Sequence, residues 1–181
     1  MFDFSRNHFE LFGLPVGFVI DTSALAARYR ALQQVVHPDR FAADGATSQR
    51  LSLQGATLVN EAYDTLRDPL KRARYLLALK GVEPAPDHQT VSDPGFLMQQ
   101  MELREALAAV RSAVDPATVL DGLMREIGGM IRSQVAQLAV QFEDSTPEQL
   151  EAAGQTVQRM QFLNRLLAEA EAIEADLEEA V

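Results

Sequence analysis

The chain has no cysteine among its 181 residues. This absence excludes disulfide bonds, thiolate metal sites and a cysteine nucleophile. Its three histidines, His8, His37 and His88, lie far apart, and none has a second histidine at the spacing of a zinc site. We therefore expect neither a bound metal nor a cofactor.

Long apolar runs and a secretory signal are also missing. No apolar segment approaches the roughly 20 residues that span a bilayer. The first residues lack a basic region followed by an apolar one. We expect a cytoplasmic protein without membrane contact, whose 47% hydrophobic residues are enough to build a packed core.

Charge is distributed unevenly along the chain. Residues 1–80 carry ten basic and eight acidic side chains, a net charge of +2. Residues 81–181 carry six basic and eighteen acidic side chains, a net charge of −12. The acidic second half argues against nucleic acid as the main ligand. The contrast suggests two domains with different partners, although such charge can also simply maintain solubility.

Helix signals are abundant, whereas only Gly17–Ile20 is β-like. Four dipeptides place a capping residue before proline, the pattern of a helix start: Asp68-Pro69, Asp93-Pro94, Asp115-Pro116 and Thr146-Pro147. Caps and apolar periodicity together predict an all-α fold of about seven helices, near residues 8–12, 22–36, 47–66, 69–80, 94–113, 116–142 and 147–179.

The helices fall into two groups. Residues 81–93 are proline-rich and polar without a helical period, so we interpret them as a linker. Residues 1–80 contain the first four predicted helices. The three long helices of residues 94–181, joined by short connections, predict an antiparallel three-helix bundle.

The tripeptide His37-Pro38-Asp39 lies where the second helix should end. That helix has an apolar stripe of Leu25, Tyr29, Leu32 and Val36, and Pro38 stops it. A catalytic His–Asp pair is one interpretation, but no strained nucleophile turn or glycine-rich phosphate loop accompanies it. Ordinary loop punctuation is another, because proline and aspartate are common turn residues.

The context of the tripeptide resembles a J-domain, the helical-hairpin module of co-chaperones. The resemblance rests on "FELFGLP", "HPDRF" and "VNEAYDTLRDP". The continuation "KRARYLLALKG", "TVSDPGFLMQQMELREAL" and "QFLNRLL" is similar to the HscB family of iron–sulfur cluster assembly. The match covers nearly the whole chain.

The resemblance implies a non-enzymatic co-chaperone with two partners. Residues 1–80 would be the J-domain, a helical hairpin with small flanking helices, which stimulates the ATPase of a dedicated DnaK-type chaperone (HscA-like). The bundle would bind an iron–sulfur scaffold protein (IscU-like) and deliver it to that chaperone, promoting cluster transfer. The alternative is a J-domain co-chaperone for a different client pathway.

For the chaperone contact, the resemblance implies the tripeptide and nearby arginines: His37, Pro38, Asp39, Arg28, Arg30 and Arg40. Two features depart from the usual J-domain. Val36 precedes the tripeptide where an aromatic residue is usual, and neutral Gln33 and Gln34 leave the basic face sparse. Weak electrostatic steering favours a dedicated chaperone over stimulation of every DnaK-type protein.

A second site is indicated on the predicted helix 94–113. At about 100° per residue, its core stripe comprises Phe96, Leu103, Leu107, Val110 and Val114. Roughly opposite lies a second apolar group edged by two carboxylates: Leu97, Met98, Met101, Glu102 and Glu105. A second stripe with flexible methionines suggests a partner surface, unless another part of the chain covers it.

On the last helix, Phe162 falls off the stripe of Val157, Met160, Leu163 and Leu167. The resemblance implies a scaffold-binding role for Phe162 together with Leu97, Met98, Met101, Glu102 and Glu105. One position departs from the family pattern, because an acidic residue of its patch appears here as Ala109.

Overall fold

The computed structural model describes residues 5–36, 45–82 and 93–179. In these ranges the chain forms α-helices and no strand, which confirms the all-α class. The helices are α1 (His8–Leu11), α2 (Thr22–Val36), α3 (Ala46–Arg67), α4 (Pro69–Leu79), α5 (Pro94–Ala109), α6 (Pro116–Asp144) and α7 (Pro147–Glu179). None of them is long and apolar enough to cross a membrane.

The four predicted helix starts are confirmed by hydrogen bonds. In each, the oxygen of the capping side chain accepts from a backbone N–H of the first turn: Asp68 from Lys71 at 2.8 Å, Asp93 from Gly95 at 3.0 Å, Asp115 from Thr118 at 3.2 Å and Thr146 from Gln149 at 3.3 Å. Each bond satisfies a donor that the helix itself leaves unpaired. Proline follows each cap because the first helical position needs no N–H.

Contacts between Cα atoms divide the chain into two compact units, Met1–Lys80 and Gly81–Val181. In the first unit, α2 and α3 form a hairpin. The buried residues of α3 recur at steps of three and four: Ser52, Gly55, Val59, Ala62 and Leu66. Because such spacing puts them on one face, they form the surface on which α2 packs.

The middle of the hairpin is joined by aromatic and polar contacts. The rings of Tyr29 on α2 and Tyr63 on α3 stack with centroids 4.0 Å apart. The Tyr29 hydroxyl donates to Asn60 Oδ1 at 3.0 Å, and Gln33 Nε2 donates to the same hydroxyl at 2.7 Å. This fixes how far along α3 the end of α2 lies.

The short helix α1 is anchored through His8. The imidazole ring of His8 stacks on the ring of Tyr75 of α4 with centroids 4.2 Å apart, and the His8 backbone N–H donates to the Tyr75 hydroxyl at 3.0 Å. Burial lowers the pKa of His8 below its ordinary value, and the Glu61 carboxylate opposes that shift. His8 therefore contributes a neutral stacking ring at neutral pH.

In the second unit, α6 runs antiparallel to α7, and α5 runs parallel to α7. Residues that meet across α5 and α7 keep a nearly constant offset, 66 positions for Asp93 with Arg159 and 65 for Arg111 with Asp176. The core between the three helices comprises Phe96, Leu103, Leu107, Val110, Leu120, Leu123, Ile127, Phe162, Leu163, Leu166 and Ala170.

The prediction that Val114 belongs to the core stripe of α5 is wrong. The α-helix ends at Ala109 and continues as a 3-10 turn, Val110–Ser112, after which the backbone becomes extended. A projection at about 100° per residue no longer applies beyond that turn. Val114 is consequently fully exposed, whereas Val110 is buried.

Candidate functional site

The tripeptide His37-Pro38-Asp39 and Arg40 lie outside the described residues, but the helix that leads to them is described. α2 ends at Val36, whose side chain is buried, as the apolar stripe predicts. The buried hydroxyl of Ser52 on α3 donates to the Val36 carbonyl at 2.7 Å. Since the last carbonyls of a helix have no partner within it, Ser52 satisfies one of them from the neighbouring helix.

Losing this bond should destabilise the hairpin. We expect Ser52→Ala to lower the free energy of unfolding by about 1–3 kcal/mol, because a buried carbonyl loses its donor. Chemical denaturation of the full chain measures the effect. Thr57→Ala on the same helix is a matched control, since the exposed Thr57 hydroxyl donates to its own helix at Leu53 O; its effect should stay within about 0.5 kcal/mol. Equal losses would refute this role for Ser52.

The two described arginines of the predicted chaperone contact do not share a face. Arg28 and Arg30 are two positions apart, so they point about 200° apart around α2. Arg30 is exposed. Arg28 Nη1 donates to the Phe12 carbonyl at 2.6 Å and also to the Gly13 carbonyl, at the end of α1. Arg28 therefore links α2 to the residues that follow α1, in addition to any contribution to partner binding.

The predicted second face of α5 is present and open to solvent. Leu97 is 36% exposed, Met98 65% and Met101 63%. Glu102 and Glu105 are exposed beside them. We call these five residues the α5 patch. On the opposite side, Phe96, Leu103 and Leu107 are buried in the bundle.

The expectation that Phe162 leaves the core stripe is wrong. Phe162 is only 4% exposed and belongs to the core of the bundle. Its ring meets the edge of Phe96 with centroids 5.8 Å apart, and the Arg104 guanidinium lies 5.6 Å from its centroid. The physical reason is that α7 packs against two helices, so its apolar sector is wider than one stripe. Phe162 therefore packs against the buried side of α5, through Phe96.

Two contacts, one in each unit, could not be predicted from the sequence: Arg159 with Asp93, and Ser52 with Val36. Arg159 Nη2 on α7 donates to Asp93 Oδ2 at the start of α5, at 2.7 Å. Nothing in the sequence pairs these residues, although the cap at Asp93 was recognisable. Ser52 had a clearer signal, because it continues the stripe of Val59 and Leu66 towards the start of α3. The structure shows no cluster of potential metal ligands among the residues it describes.

Known proteins share both the sequence and the fold. A family described as the HSCB C-terminal oligomerisation domain matches residues 92–171. A co-chaperone protein HscB homolog from Burkholderia multivorans is 45% identical over 171 residues, covering 93% of this chain and 94% of that protein.

Two solved structures extend the likeness to three dimensions. Chaperone HscB from Vibrio cholerae matches with a TM-score of 0.84 and 41% identity, covering 95% of this chain and 99% of the other. The crystal structure of human co-chaperone protein HscB matches with a TM-score of 0.87 and 29% identity, covering 95% of this chain and 84% of the other.

Proposed function

The chain belongs to the HscB family of co-chaperones, and from this premise we propose that it links two partners during iron–sulfur cluster assembly. Residues 1–80 act as a J-domain that stimulates ATP hydrolysis by a dedicated DnaK-type chaperone (HscA-like). Residues 94–181 bind an IscU-like scaffold protein and deliver it to that chaperone, and residues 81–93 link the two. The setting is the cytoplasm, and the hydrolysis takes place in the chaperone.

The α5 patch is the observation that carries this proposal. A bundle helix needs one apolar face, yet α5 has a packed face and a second, exposed one. Leucine and methionine provide apolar area that a partner can bury, and methionine adapts to the shape it meets. Glu102 and Glu105 at the edge provide charge that selects a partner with basic residues at its rim.

The chaperone contact follows from where α2 ends. The Ser52 hydroxyl holds the last turn of α2 against α3, and His37 is the next residue in the sequence. Pro38 restricts one backbone dihedral, which lowers the entropy lost on docking. Asp39 offers a carboxylate that an arginine of the chaperone can bind through two hydrogen bonds. His37 provides both a donor and an acceptor.

Arg28 and Arg30 contribute to chaperone binding in different ways. Arg30 is exposed and contributes charge that attracts an acidic chaperone surface. Arg28 already binds the carbonyl of Phe12, so a substitution there disturbs the fold as well as the contact. Chaperone binding by an Arg28 variant is therefore interpretable only beside its measured stability.

Titration calorimetry of the full chain with a purified IscU-type scaffold tests the proposed partner. We expect a one-to-one complex with a negative heat-capacity change, since apolar surface is buried. Absence of a complex, with chaperone stimulation retained, would favour a J-domain co-chaperone for another client. Absence of both would exclude the proposed function.

A further inference from the structure

Arg159 of α7 binds Asp93, the residue that caps the start of α5. Its Nη2 donates to Asp93 Oδ2 at 2.7 Å, while Asp93 Oδ1 accepts from the Gly95 N–H at 3.0 Å. One carboxylate thus caps α5 and ties its start to α7. The Arg159 guanidinium also lies 5.5 Å from the centroid of the Phe96 ring. We call this arrangement the Asp93–Arg159 clamp.

Phe96 is the one buried residue in the first turn of α5, Pro94–Leu97, and it packs into the core of the bundle. A groove of about 280 Å³ opens beside it, lined by polar Gln99, Ser133 and Gln134 together with apolar Met130 and Leu163. Asp93 and Arg159 also lie in the wall of this groove. The start of α5 is therefore held to the bundle by one apolar side chain and by the clamp.

The clamp is also less accessible to water than an ordinary surface ion pair. The Arg159 side chain is 27% exposed and that of Asp93 42% exposed. Arg159 Nε is buried and has no hydrogen-bond partner among the described atoms. A guanidinium that is partly removed from water binds its carboxylate partner more strongly than an exposed guanidinium does.

Two of the five residues of the α5 patch, Leu97 and Met98, lie at the turn that the clamp fixes. The Leu97 N–H donates to the Asp93 carbonyl at 3.0 Å, so the exposed Leu97 closes the first turn, which the clamp anchors at its start. Met98 follows directly. Any loosening at Asp93 therefore displaces the two side chains nearest the start of α5 before it reaches Met101 or Glu105.

We propose that Arg159 is a positioning residue for scaffold binding: through Asp93 it holds Leu97 and Met98 in the arrangement that the scaffold recognises. The inference rests on the proposed function. Without the clamp, the first turn of α5 opens for part of the time. The apparent dissociation constant then rises by the inverse of the fraction that remains ordered.

Two substitutions break the clamp from opposite sides. Arg159→Gln removes the cation, whereas Asp93→Asn removes the anion and keeps a residue that caps helices well. We expect each to raise the Kd of the full chain for purified IscU-type scaffold roughly three- to tenfold. The Kd of the double variant should be no higher than that of the single variant with the higher Kd, because each substitution removes the same Asp93–Arg159 interaction. Arg159→Lys should recover part of the affinity, since it restores a charge.

A second measurement reports on the mechanism directly. Amide hydrogen exchange at Leu97 should accelerate in both single variants, because its N–H bonds to Asp93 itself. The matched control is Arg111→Gln, which breaks the ion pair with Asp176 at the far end of the same two helices. It should leave both the scaffold Kd and the exchange at Leu97 unchanged.

The outcomes separate this inference from the proposed function. If wild type binds scaffold and both clamp variants bind equally well, the positioning role is wrong. If Arg159→Gln weakens binding and Asp93→Asn does not, or if both weaken it and their effects add in the double variant, Arg159 acts independently of Asp93 and the positioning role is again wrong. If wild type fails to bind at all, the scaffold half of the proposed function is wrong.

Discussion

The double substitution Leu97→Ala with Met98→Ala should weaken scaffold binding about 30-fold. Complete burial of such a side chain contributes about 1.5–3 kcal/mol, but only the exposed 36% of Leu97 and 65% of Met98 remain to be buried in a complex. The pair therefore contributes about 2 kcal/mol, and about 1.4 kcal/mol corresponds to a factor of ten in Kd. Both side chains are exposed in the free chain, so their truncation leaves no internal cavity. The thermal unfolding midpoint should therefore stay close to that of wild type.

Leu103→Ala provides the matched control on the same helix. Leu103 is 5% exposed and faces the core, so its truncation should cost about 2–5 kcal/mol of stability. The two variants thus separate the partner surface from the packed surface of α5. A large loss of stability in the Leu97/Met98 variant, with scaffold affinity unchanged, would show that the α5 patch is covered by the protein itself.

The second large effect concerns the chaperone. His37→Gln should abolish stimulation of the chaperone ATPase while scaffold affinity stays at the wild-type value. Glutamine keeps a donor and an acceptor but not the ring, so the loss would identify the shape of the imidazole as the requirement. Single-turnover hydrolysis by an HscA-type chaperone, with and without the variant, measures this directly.

His88→Gln is the corresponding control, because it makes the same chemical change in the segment interpreted as the linker. It should stimulate hydrolysis as wild type does. Equal stimulation by wild type and His37→Gln would show that the tripeptide is not the trigger. A simultaneous loss of scaffold binding in His37→Gln would indicate general damage to the fold.

The helix boundaries marked by proline were predictable because their determinants are local. A capping side chain followed by proline acts within one turn, and the starts at Pro69, Pro94, Pro116 and Pro147 all agree with the structure. The end of α2 at Val36 was predictable for the same reason, since proline constrains only its immediate neighbour. The α5 patch could be predicted from the sequence because helical periodicity alone places its residues on one side of the helix axis.

Apart from Val114, which the 3-10 turn displaces, the missed features arise from contacts between helices. Phe162 is buried because α7 packs against α5 as well as α6, which the periodicity of α7 alone does not reveal. Ser52 and Arg159 meet Val36 and Asp93 only after the chain has folded back on itself. Arg28 looked like part of a basic face, yet its guanidinium reaches the carbonyls that follow α1. Such long-range pairings depend on the register of the helices.

The central claim is that one chain couples scaffold binding to chaperone hydrolysis. Single-turnover ATP hydrolysis by an HscA-type chaperone, measured with this protein, with IscU-type scaffold and with both, tests it most directly. The account predicts that the two together accelerate hydrolysis more than the product of their separate effects. A rate with both present that is no higher than the rate of the chaperone alone would contradict it.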